Sequence, residues 1–289
     1  MVSTKAMYKF GYELFGFYFE LSTDSREMEV YLSEALEKHI VVADRATYDF
    51  KLFIPFIDPI KRRYLTRTAP NTDCILEEVE FKSGSSQPSK WSSTAPPLIP
   101  FNFEGIDSNF FAYHAAAVNA PNVGTVLLLG NKGAGKSTNS LAFCKSLGWN
   151  LLADETCVVR SKDLVIQALL RQPQGYTVDS EGYARKSALK FSDNLWINTQ
   201  KEGIPVLACE LIFIPGIAEP HIEKVNDRKI AKSILGRHQL NFGGTPEFAA
   251  GCSENLVNKL DVFQIYHGGY KTFSHVQKFI ASTVDRMSQ

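Results

Sequence analysis

The chain has 289 residues, and its 31 lysines and arginines balance 31 aspartates and glutamates, so the formal net charge is zero. Hydrophobic residues make up 44% and charged residues 21% of the chain, which is typical of globular proteins and excludes a disordered or fibrous one. The balanced charge supplies no positive field to attract nucleic acid or an anionic membrane, so neither partner is expected.

The first part of the chain predicts a small N-terminal α+β domain, residues 1–105. The segment 8–21 is rich in Phe and Tyr and predicts one or two strands, and the segment 25–39 has the apolar spacing of a helix. Strand-like runs follow at 48–56 and 74–81. The Ser- and Pro-rich segment 83–100 predicts a long surface loop that ends this domain.

The second part, residues 106–289, predicts an α/β domain with a mixed sheet, because strands and helices alternate. The apolar stretch 115–129 predicts one buried strand, at 123–129, with its lead-in; it is too short and too interrupted to span a membrane. A helix is expected at 136–147. The other predicted elements are strands at 150–153, 156–159, 164–170, 207–214 and 262–266, and helices at 229–235, 246–259 and 272–287.

Two features indicate the cellular compartment. The N-terminal residues have neither the basic and apolar regions nor the cleavage site of a secretion signal. The five cysteines show no CxxC or Cys/His ligand spacing, so we expect reduced core residues and not zinc ligands or disulfides. A soluble, cytoplasmic protein is therefore expected.

A phosphate-binding motif lies between the predicted strand 123–129 and the predicted helix 136–147. The segment Gly130-Asn131-Lys132-Gly133-Ala134-Gly135-Lys136-Ser137 fits G-x-x-x-x-G-K-[ST], and Thr138 follows it. The glycines let successive backbone N–H groups point inward, and the helix N-terminus adds its positive dipole end. We expect Lys136 to reach the outer phosphates and Ser137 to bind Mg²⁺, so the motif predicts an ATP-binding P-loop.

An acidic pair and a histidine are further candidate residues of the phosphate and metal site. Asp154 and Glu155 end the strand-like run 151–153, and carboxylates at the end of a strand neighbouring the P-loop strand would face the phosphates and metal. A solvated turn is the alternative for this pair. His114 precedes the P-loop strand, where a histidine among apolar residues is by itself more often structural than catalytic.

These residues, in this order, resemble the kinase domain of the HPr kinase/phosphorylase family. The resemblance includes His114, the strand and P-loop that follow it, and the segment 148–155, Gly-Trp-Asn-Leu-Leu-Ala-Asp-Glu. It covers about residues 108–280. It extends to the segment 211–216, which is similar to a late strand of the family, and to the basic block 185–190, which resembles a segment near the active site. The family belongs with the phosphoenolpyruvate carboxykinases in having an unusual P-loop fold, which is the fold implied here.

The resemblance implies a kinase that uses ATP and Mg²⁺. It implies that Asp154 is the general base for the acceptor hydroxyl, that Glu155 supports Mg²⁺ binding, and that His114 lies near the acceptor and the phosphates. Lys136 completes the implied catalytic set. Glu155 stands where the family usually has Asp. No clear copy of the glycine-rich phosphorylase signature is found, which argues against the reverse reaction.

The acceptor and two alternative functions stay open. Residues 1–105 do not resemble the family's regulatory domain, which suggests a branch similar to the HPr-kinase-like enzymes of peptide natural-product pathways, such as those for lasso peptides. The acceptor would be a serine or threonine of a peptide or protein, or a small-molecule alcohol. An NTP-hydrolysing switch is one alternative, although a separate Asn-Lys-x-Asp motif is lacking. A nucleotide-sensing binding protein is the other, and intact Lys136, Ser137 and Asp154 argue against it. Self-association is left open.

Overall fold

The computed structural model describes residues 7–24, 26–41, 50–53, 63–68, 75–80, 109–178, 184–240 and 246–288. The chain divides into two compact units, Met1–Phe101 and Asn102–Gln289. The predicted loop at 83–100 lies outside the described residues. Of the helices in the part of the chain that the structure describes, none combines the length and apolar character that a bilayer crossing needs.

The first unit contains a six-stranded sheet and a helix. Its elements are β1 (Tyr8–Leu14), β2 (Phe17–Thr23), α1 (Arg26–Ala35), β3 (Ile40–Val41), β4 (Phe50–Phe53), β5 (Arg63–Thr68) and β6 (Ile75–Glu80). The strand order is β3-β1-β2-β4-β5-β6, with β2 parallel to β4 and the other pairs antiparallel. The segment of β5 was not predicted as a strand, because two arginines in its six residues weaken the apolar alternation.

The second unit contains two sheets, a hairpin and four helices among its described residues. Its elements are β7 (Phe110–Tyr113), β8 (Ala115–Ala120), β9 (Gly124–Leu129), α2 (Lys136–Leu147), β10 (Asn150–Ala153), β11 (Cys157–Arg160), β12 (Ile166–Gln167), β13 (Gln174–Val178), β14 (Ala184–Ala188), β15 (Glu202–Gly203), β16 (Pro205–Phe213), β17 (His221–Lys224), α3 (Arg228–Arg237), β18 (Gln239–Leu240), α4 (Pro246–Val257), β19 (Asp261–His267) and α5 (Tyr270–Met287). We call the sheet ordered β10-β8-β9-β16-β19-β17 the P-loop sheet, and the sheet ordered β15-β12-β11-β7-β18 the second sheet.

The P-loop sheet is mixed, as predicted for this part of the chain. Strands β9, β16 and β19 run parallel, while β8 and β17 are antiparallel to their neighbours. The prediction of one strand within 115–129 is wrong, because β8 and β9 are two antiparallel strands. The polar residues that interrupt the apolar run form the turn between them, where Asn122 has a φ of 65°. Every residue of β8 and β9 is buried, since both faces of this sheet are covered.

Hydrophobic cores lie on both faces of the P-loop sheet. One face packs against α2 and α5, and this core includes Val118, Leu128, Leu141, Leu211 and Val276. The other face packs against the second sheet, α3 and α4, and this core includes Leu127, Val159, Ala208, Ile234 and Leu256. The four cysteines among the described residues are free thiols buried in these cores, as predicted for core residues: Cys144, Cys157, Cys209 and Cys252.

Helix α2 has the bounds predicted for it, and its ends explain why. Gly148 adopts a left-handed conformation with φ 67°, and its amide donates to the Cys144 carbonyl, which closes the helix. Most other predicted elements of this unit are present with ends shifted by a few residues. The predicted strand at 164–170 shortens to β12, because only two residues of it pair with β11.

Candidate functional site

Two of the places where the chain passes from one sheet of the second unit to the other are neighbours. One crossing is His114, between β7 and β8, and the other is the segment 154–156, between β10 and β11. The prediction that the acidic pair follows a strand next to the P-loop strand is wrong. The strand before the pair is β10, which pairs with β8 and not with β9. Two successive antiparallel pairings nevertheless make β10 run in the same direction as β9. Both strands therefore end at the same edge of the sheet.

The P-loop is the turn from β9 to α2. Its first and last glycines, Gly130 and Gly135, have φ values of 141° and 89°, which L side chains rarely adopt. A Cβ atom on Gly130 would lie 2.6 Å from the Leu211 carbonyl oxygen, and one on Gly135 would lie 2.6 Å from Cζ of Phe273. Close neighbours on β16 and α5 thus require glycine at both ends of the turn.

Lys136 begins α2 and lies across the mouth of the turn. Its side chain is 7% exposed, and its Nζ donates to the carbonyl oxygens of Gly130 at 2.7 Å and Asn131 at 3.2 Å. Nζ also lies 3.0 Å from Nε2 of His114. These contacts hold the ammonium group at the P-loop, where its charge can attract an anion.

Ser137 and Asp154 are in direct contact. The hydroxyl of Ser137 donates to Oδ1 of Asp154 at 2.7 Å, and Asp154 is 5% exposed. Proteins commonly bind Mg²⁺ through one or two carboxylates together with phosphate oxygens and waters, and P-loop proteins add the loop hydroxyl. The donor atoms of Ser137 and Asp154 fit this requirement.

His114 joins the lysine to the second sheet. Its backbone N–H donates to the His238 carbonyl at 2.6 Å, which fixes the crossing against the start of β18. Burial, followed by the nearby charge of Lys136, lowers the pKa of His114 below its ordinary value. A neutral ring whose Nε2 accepts from the ammonium of Lys136 carries its own proton on Nδ1. His114 is therefore a hydrogen-bond acceptor for Lys136, and its remaining ring N–H, on Nδ1, is a donor.

Glu155 lies on the same crossing as Asp154, in a conformation unusual for its residue type. Its φ is 75°, in the left-handed region that non-glycine residues rarely occupy. Its negative charge raises the pKa of His114, against the larger lowering by burial and Lys136. Its expected role as a metal ligand stays a prediction.

The other predicted P-loop residues differ in how far they are exposed. Asn131, Lys132 and Gly133 are exposed on the loop, and Ala134 is buried beneath it. Thr138 is half-buried on the first turn of α2. The side chains of residues 185–188 in the basic block lie outside the described residues, so the nearness of this block to the site stays a prediction.

Two side chains more than 120 residues later in the chain, His267 and Gln277, support the P-loop, and no local motif marks either of them. His267, at the end of β19, is fully buried; its Nε2 donates to the Ala134 carbonyl at 3.0 Å, and its Nδ1 accepts from the Gly269 N–H at 3.1 Å. Gln277 on α5 donates to Oδ1 of Asn139 at 3.1 Å, and Asn139 donates to the Gly135 carbonyl at 2.9 Å. The loop is thus held from β19 and α5.

A buried carboxylate, Glu210 on β16, ties the site to the second sheet. It accepts hydrogen bonds from Nε2 of His238 at 2.9 Å, from Gln264 at 2.8 Å, and from the guanidinium of Arg237 at 3.0 Å to both oxygens. Burial raises the pKa of Glu210, but these hydrogen bonds lower it more, so the net shift is downward. The charged carboxylate therefore fixes His238, whose carbonyl positions His114.

The comparisons with known proteins give a distant structural relation. The sequence matches no family model and no curated protein. Among solved structures, the HPr(Ser) kinase/phosphatase from Coxiella burnetii is similar to this chain at 14% sequence identity and a TM-score of 0.35. The similarity covers 62% of this chain and 99% of that protein. Similarity at this level leaves the function to be argued from the residues of the site.

Proposed function

We propose that the protein is a kinase that transfers the γ-phosphoryl group of Mg·ATP to a hydroxyl group. The observation that carries the proposal is the 2.7 Å contact between Ser137 and the buried Asp154, directly beside Lys136. It brings a metal-binding hydroxyl, a carboxylate and a fixed positive charge to one edge of the sheet. These are the groups that phosphoryl transfer needs, because its catalysis is mainly positioning and charge neutralisation.

In the proposed reaction, the acceptor oxygen attacks the γ-phosphorus, the bond to the β-phosphate bridging oxygen breaks, and ADP leaves. The hydroxyl proton passes to Asp154 as general base. Lys136 and the loop amides neutralise charge on the phosphates, and His114 lies near the acceptor. Ser137 would hold Mg²⁺, with Glu155 in support. The acceptor is a serine or threonine of a peptide or protein, or a small-molecule alcohol.

An NTP-hydrolysing switch is a second candidate, and the same contact favours it. In many P-loop NTPases the metal is held by the loop Ser or Thr together with a nearby aspartate. Asp154 could take that position through Ser137 without serving as a base. The two candidates differ in what happens to the γ-phosphoryl group, because a switch transfers it to water.

The test is a product assay with γ-labelled ATP, run with and without candidate acceptors. The acceptor panel contains Ser- and Thr-bearing peptides and small alcohols. Acceptor-dependent labelling supports the kinase, whereas acceptor-independent release of phosphate supports the switch. Lys136→Ala is expected to abolish both products, because the loop loses the ammonium that attracts the phosphates.

Lys162→Ala is the matched control, since Lys162 is an exposed lysine in the turn between β11 and β12, outside the P-loop. We expect this variant to retain transfer close to the wild-type rate. If Lys136→Ala binds and turns over ATP like the wild type, the P-loop is not the nucleotide site and the proposed function is wrong.

A further inference from the structure

An aromatic cluster lies beside the P-loop and has no part in the chemistry proposed above. We call Phe213, His267, Tyr270 and Phe273 the aromatic shelf. The ring centroid of His267 lies 5.9 Å from that of Phe213 and 5.2 Å from that of Phe273. The ring centroids of Tyr270 and Phe273 are 5.3 Å apart. These are ordinary contact distances between aromatic rings, so the four side chains form one packed cluster.

The shelf is attached to the P-loop through its two buried members. The ring of Phe273 lies against the backbone of Gly135, where no Cβ would fit, and His267 donates to the Ala134 carbonyl. The shelf therefore borders the loop on the side of β16 and β19. His114 and Asp154 lie on the other side of β9, toward β8 and β10.

The shelf presents ring surface to solvent through its other two members. Tyr270 is 68% and Phe213 is 49% exposed, whereas His267 and Phe273 are buried. Ile214, the residue after Phe213, is also exposed. Neighbouring apolar groups exposed together commonly mark a ligand or partner site, unlike the scattered exposed residues of ordinary surfaces.

Two glycines, Gly268 and Gly269, form the backbone at the edge of the shelf. A Cβ on Gly268 would lie 2.0 Å from the Ile217 carbonyl oxygen, and one on Gly269 would lie 3.2 Å from the Phe213 ring. Glycines at these two positions let the loop after β19 approach the loop after β16 and let the Phe213 ring lie against the chain. The exposed Phe213 ring is therefore held against the backbone at Gly269.

The direction in which a nucleoside triphosphate lies on the P-loop determines which part of it reaches the shelf. If the γ-phosphoryl group faces Asp154, as the proposed function requires, the nucleoside leaves the P-loop on the side away from Asp154. That side carries the shelf. Flat aromatic surfaces bind nucleobases by stacking, and a purine gives more overlap than a pyrimidine.

We infer that Phe213 and Tyr270 form the base-binding subsite for the purine of the bound nucleoside triphosphate. The inference rests on the proposed function, because it takes the direction of the nucleotide from the position of Asp154. It adds the recognition of the nucleoside, for which the P-loop motif assigns no residue.

The experiment compares the affinities of Mg·ATP and Mg·tripolyphosphate by calorimetry. Tripolyphosphate has the phosphates without the nucleoside, so it tests the P-loop alone. We expect Phe213→Ala and Tyr270→Ala each to weaken ATP binding about tenfold, with tripolyphosphate affinity unchanged. Tyr270→Phe keeps the ring and is expected to bind ATP within about twofold of the wild type. Ile230→Ala, which shortens an exposed side chain on α3, is the matched control and should change neither affinity.

The outcomes separate this inference from the proposed function. If the double variant of Phe213 and Tyr270 to alanine binds ATP like the wild type, the shelf is not the base site and the inference is wrong. Equal affinity of the wild type for ATP and tripolyphosphate would also overturn it, while leaving the P-loop in place. If Lys136→Ala leaves the affinity for both ligands unchanged, the proposed function itself fails.

Discussion

The two flanks of the P-loop differ in chemistry and in how the chain builds them. His114, Lys136 and Asp154, called the acceptor flank after the role proposed for them, are polar and lie within one segment, 114–154. The nucleoside flank, formed by His267, Phe273 and the rest of the aromatic shelf, is mostly aromatic and comes from later strands and α5. Charged groups suit the reacting phosphate, whereas ring surfaces suit a base. The proposed roles therefore put phosphoryl transfer on one side of the P-loop and binding of the base on the other.

The largest expected effect is on the acceptor flank, from Asp154→Asn. Asn has nearly the same shape and can still accept from Ser137, but it is not a base. We expect phosphoryl transfer to fall by about 10²–10⁴, the usual contribution of a positioned acid or base, while nucleotide affinity changes only a few-fold. Steady-state rates and calorimetric binding measure the two quantities separately.

Asp193→Asn, at an exposed position, is the control for the loss of one negative charge. If nucleotide affinity falls as much as the rate, Asp154 acts chiefly as a metal ligand, and the base would have to be Glu155 or His114. If binding and transfer both survive, the proposed acceptor flank is wrong, even though the P-loop still binds nucleotide.

The next effect tests how tightly the nucleoside flank packs against the loop. Gly133 and Gly135 have φ values of 87° and 89°, so alanine at either position costs about 1–2 kcal/mol of backbone strain. A Cβ on Gly133 would meet open space, but one on Gly135 would lie 2.6 Å from the Phe273 ring. We therefore expect Gly135→Ala to lower the free energy of unfolding by about 1–3 kcal/mol more than Gly133→Ala.

Urea unfolding of the two variants gives this difference directly. Combining Gly135→Ala with Phe273→Leu is a useful third measurement, since removing the ring should relieve part of the added cost. Equal destabilisation by the two single substitutions would show that the Phe273 ring does not constrain the loop.

The acceptor flank was more predictable from the sequence than the nucleoside flank. The P-loop motif, the bounds of α2 and the strand β10 all follow from patterns within about twenty residues. The contacts of Lys136 with Gly130 and Asn131 are equally local. Local glycine spacing and apolar periodicity dictate these features before any tertiary packing is known.

The parts that could not be predicted depend on pairing between distant segments. His267 reaches Ala134 across 133 residues, and Glu210 reaches His238, which lies between α3 and β18. Neither residue belongs to a local motif. The pairing of β10 with β8, in place of β9, was missed for the same reason: strand order is set by the whole sheet.

A smaller effect is expected at Glu210, which accepts hydrogen bonds from Gln264, on the strand that ends at His267, and from His238, whose carbonyl accepts from the His114 N–H. Glu210→Gln replaces an acceptor oxygen with an N–H₂ group that faces donors. We expect the free energy of unfolding to fall by about 1–2 kcal/mol, since buried donors lose an acceptor while the half-exposed Arg237 can turn to water. Glu254→Gln, which removes an exposed ion pair with Lys232, should leave urea unfolding unchanged. Equal midpoints for the two variants would contradict a linking role for Glu210.

The smallest effect is a pH dependence of stability that belongs to the nucleoside flank. Burial lowers the pKa of His267 below the ordinary histidine value, and the hydrogen bond to the Ala134 carbonyl opposes this only in part. Nδ1 of His267 accepts from the Gly269 N–H, which it cannot do once protonated. The unfolded chain therefore binds a proton more readily than the folded one. This stability is fully present above the unfolded pKa of about 6.5 and is lost as pH falls through the lower folded value.

His114 also has a lowered pKa and shifts stability in the same direction, so the wild-type curve alone does not isolate His267. His267→Gln keeps an N–H donor and a carbonyl acceptor but does not titrate, and it leaves His114 in place. We expect the free energy of unfolding, measured in urea from pH 8 to about pH 5, to fall more steeply for the wild type than for this variant. Each pH unit between the folded and unfolded pKa of His267 adds about 1.4 kcal/mol to the difference between the wild type and the variant in how far the free energy of unfolding falls. Parallel curves would mean that the contact between His267 and Gly269 does not hold the nucleoside flank together.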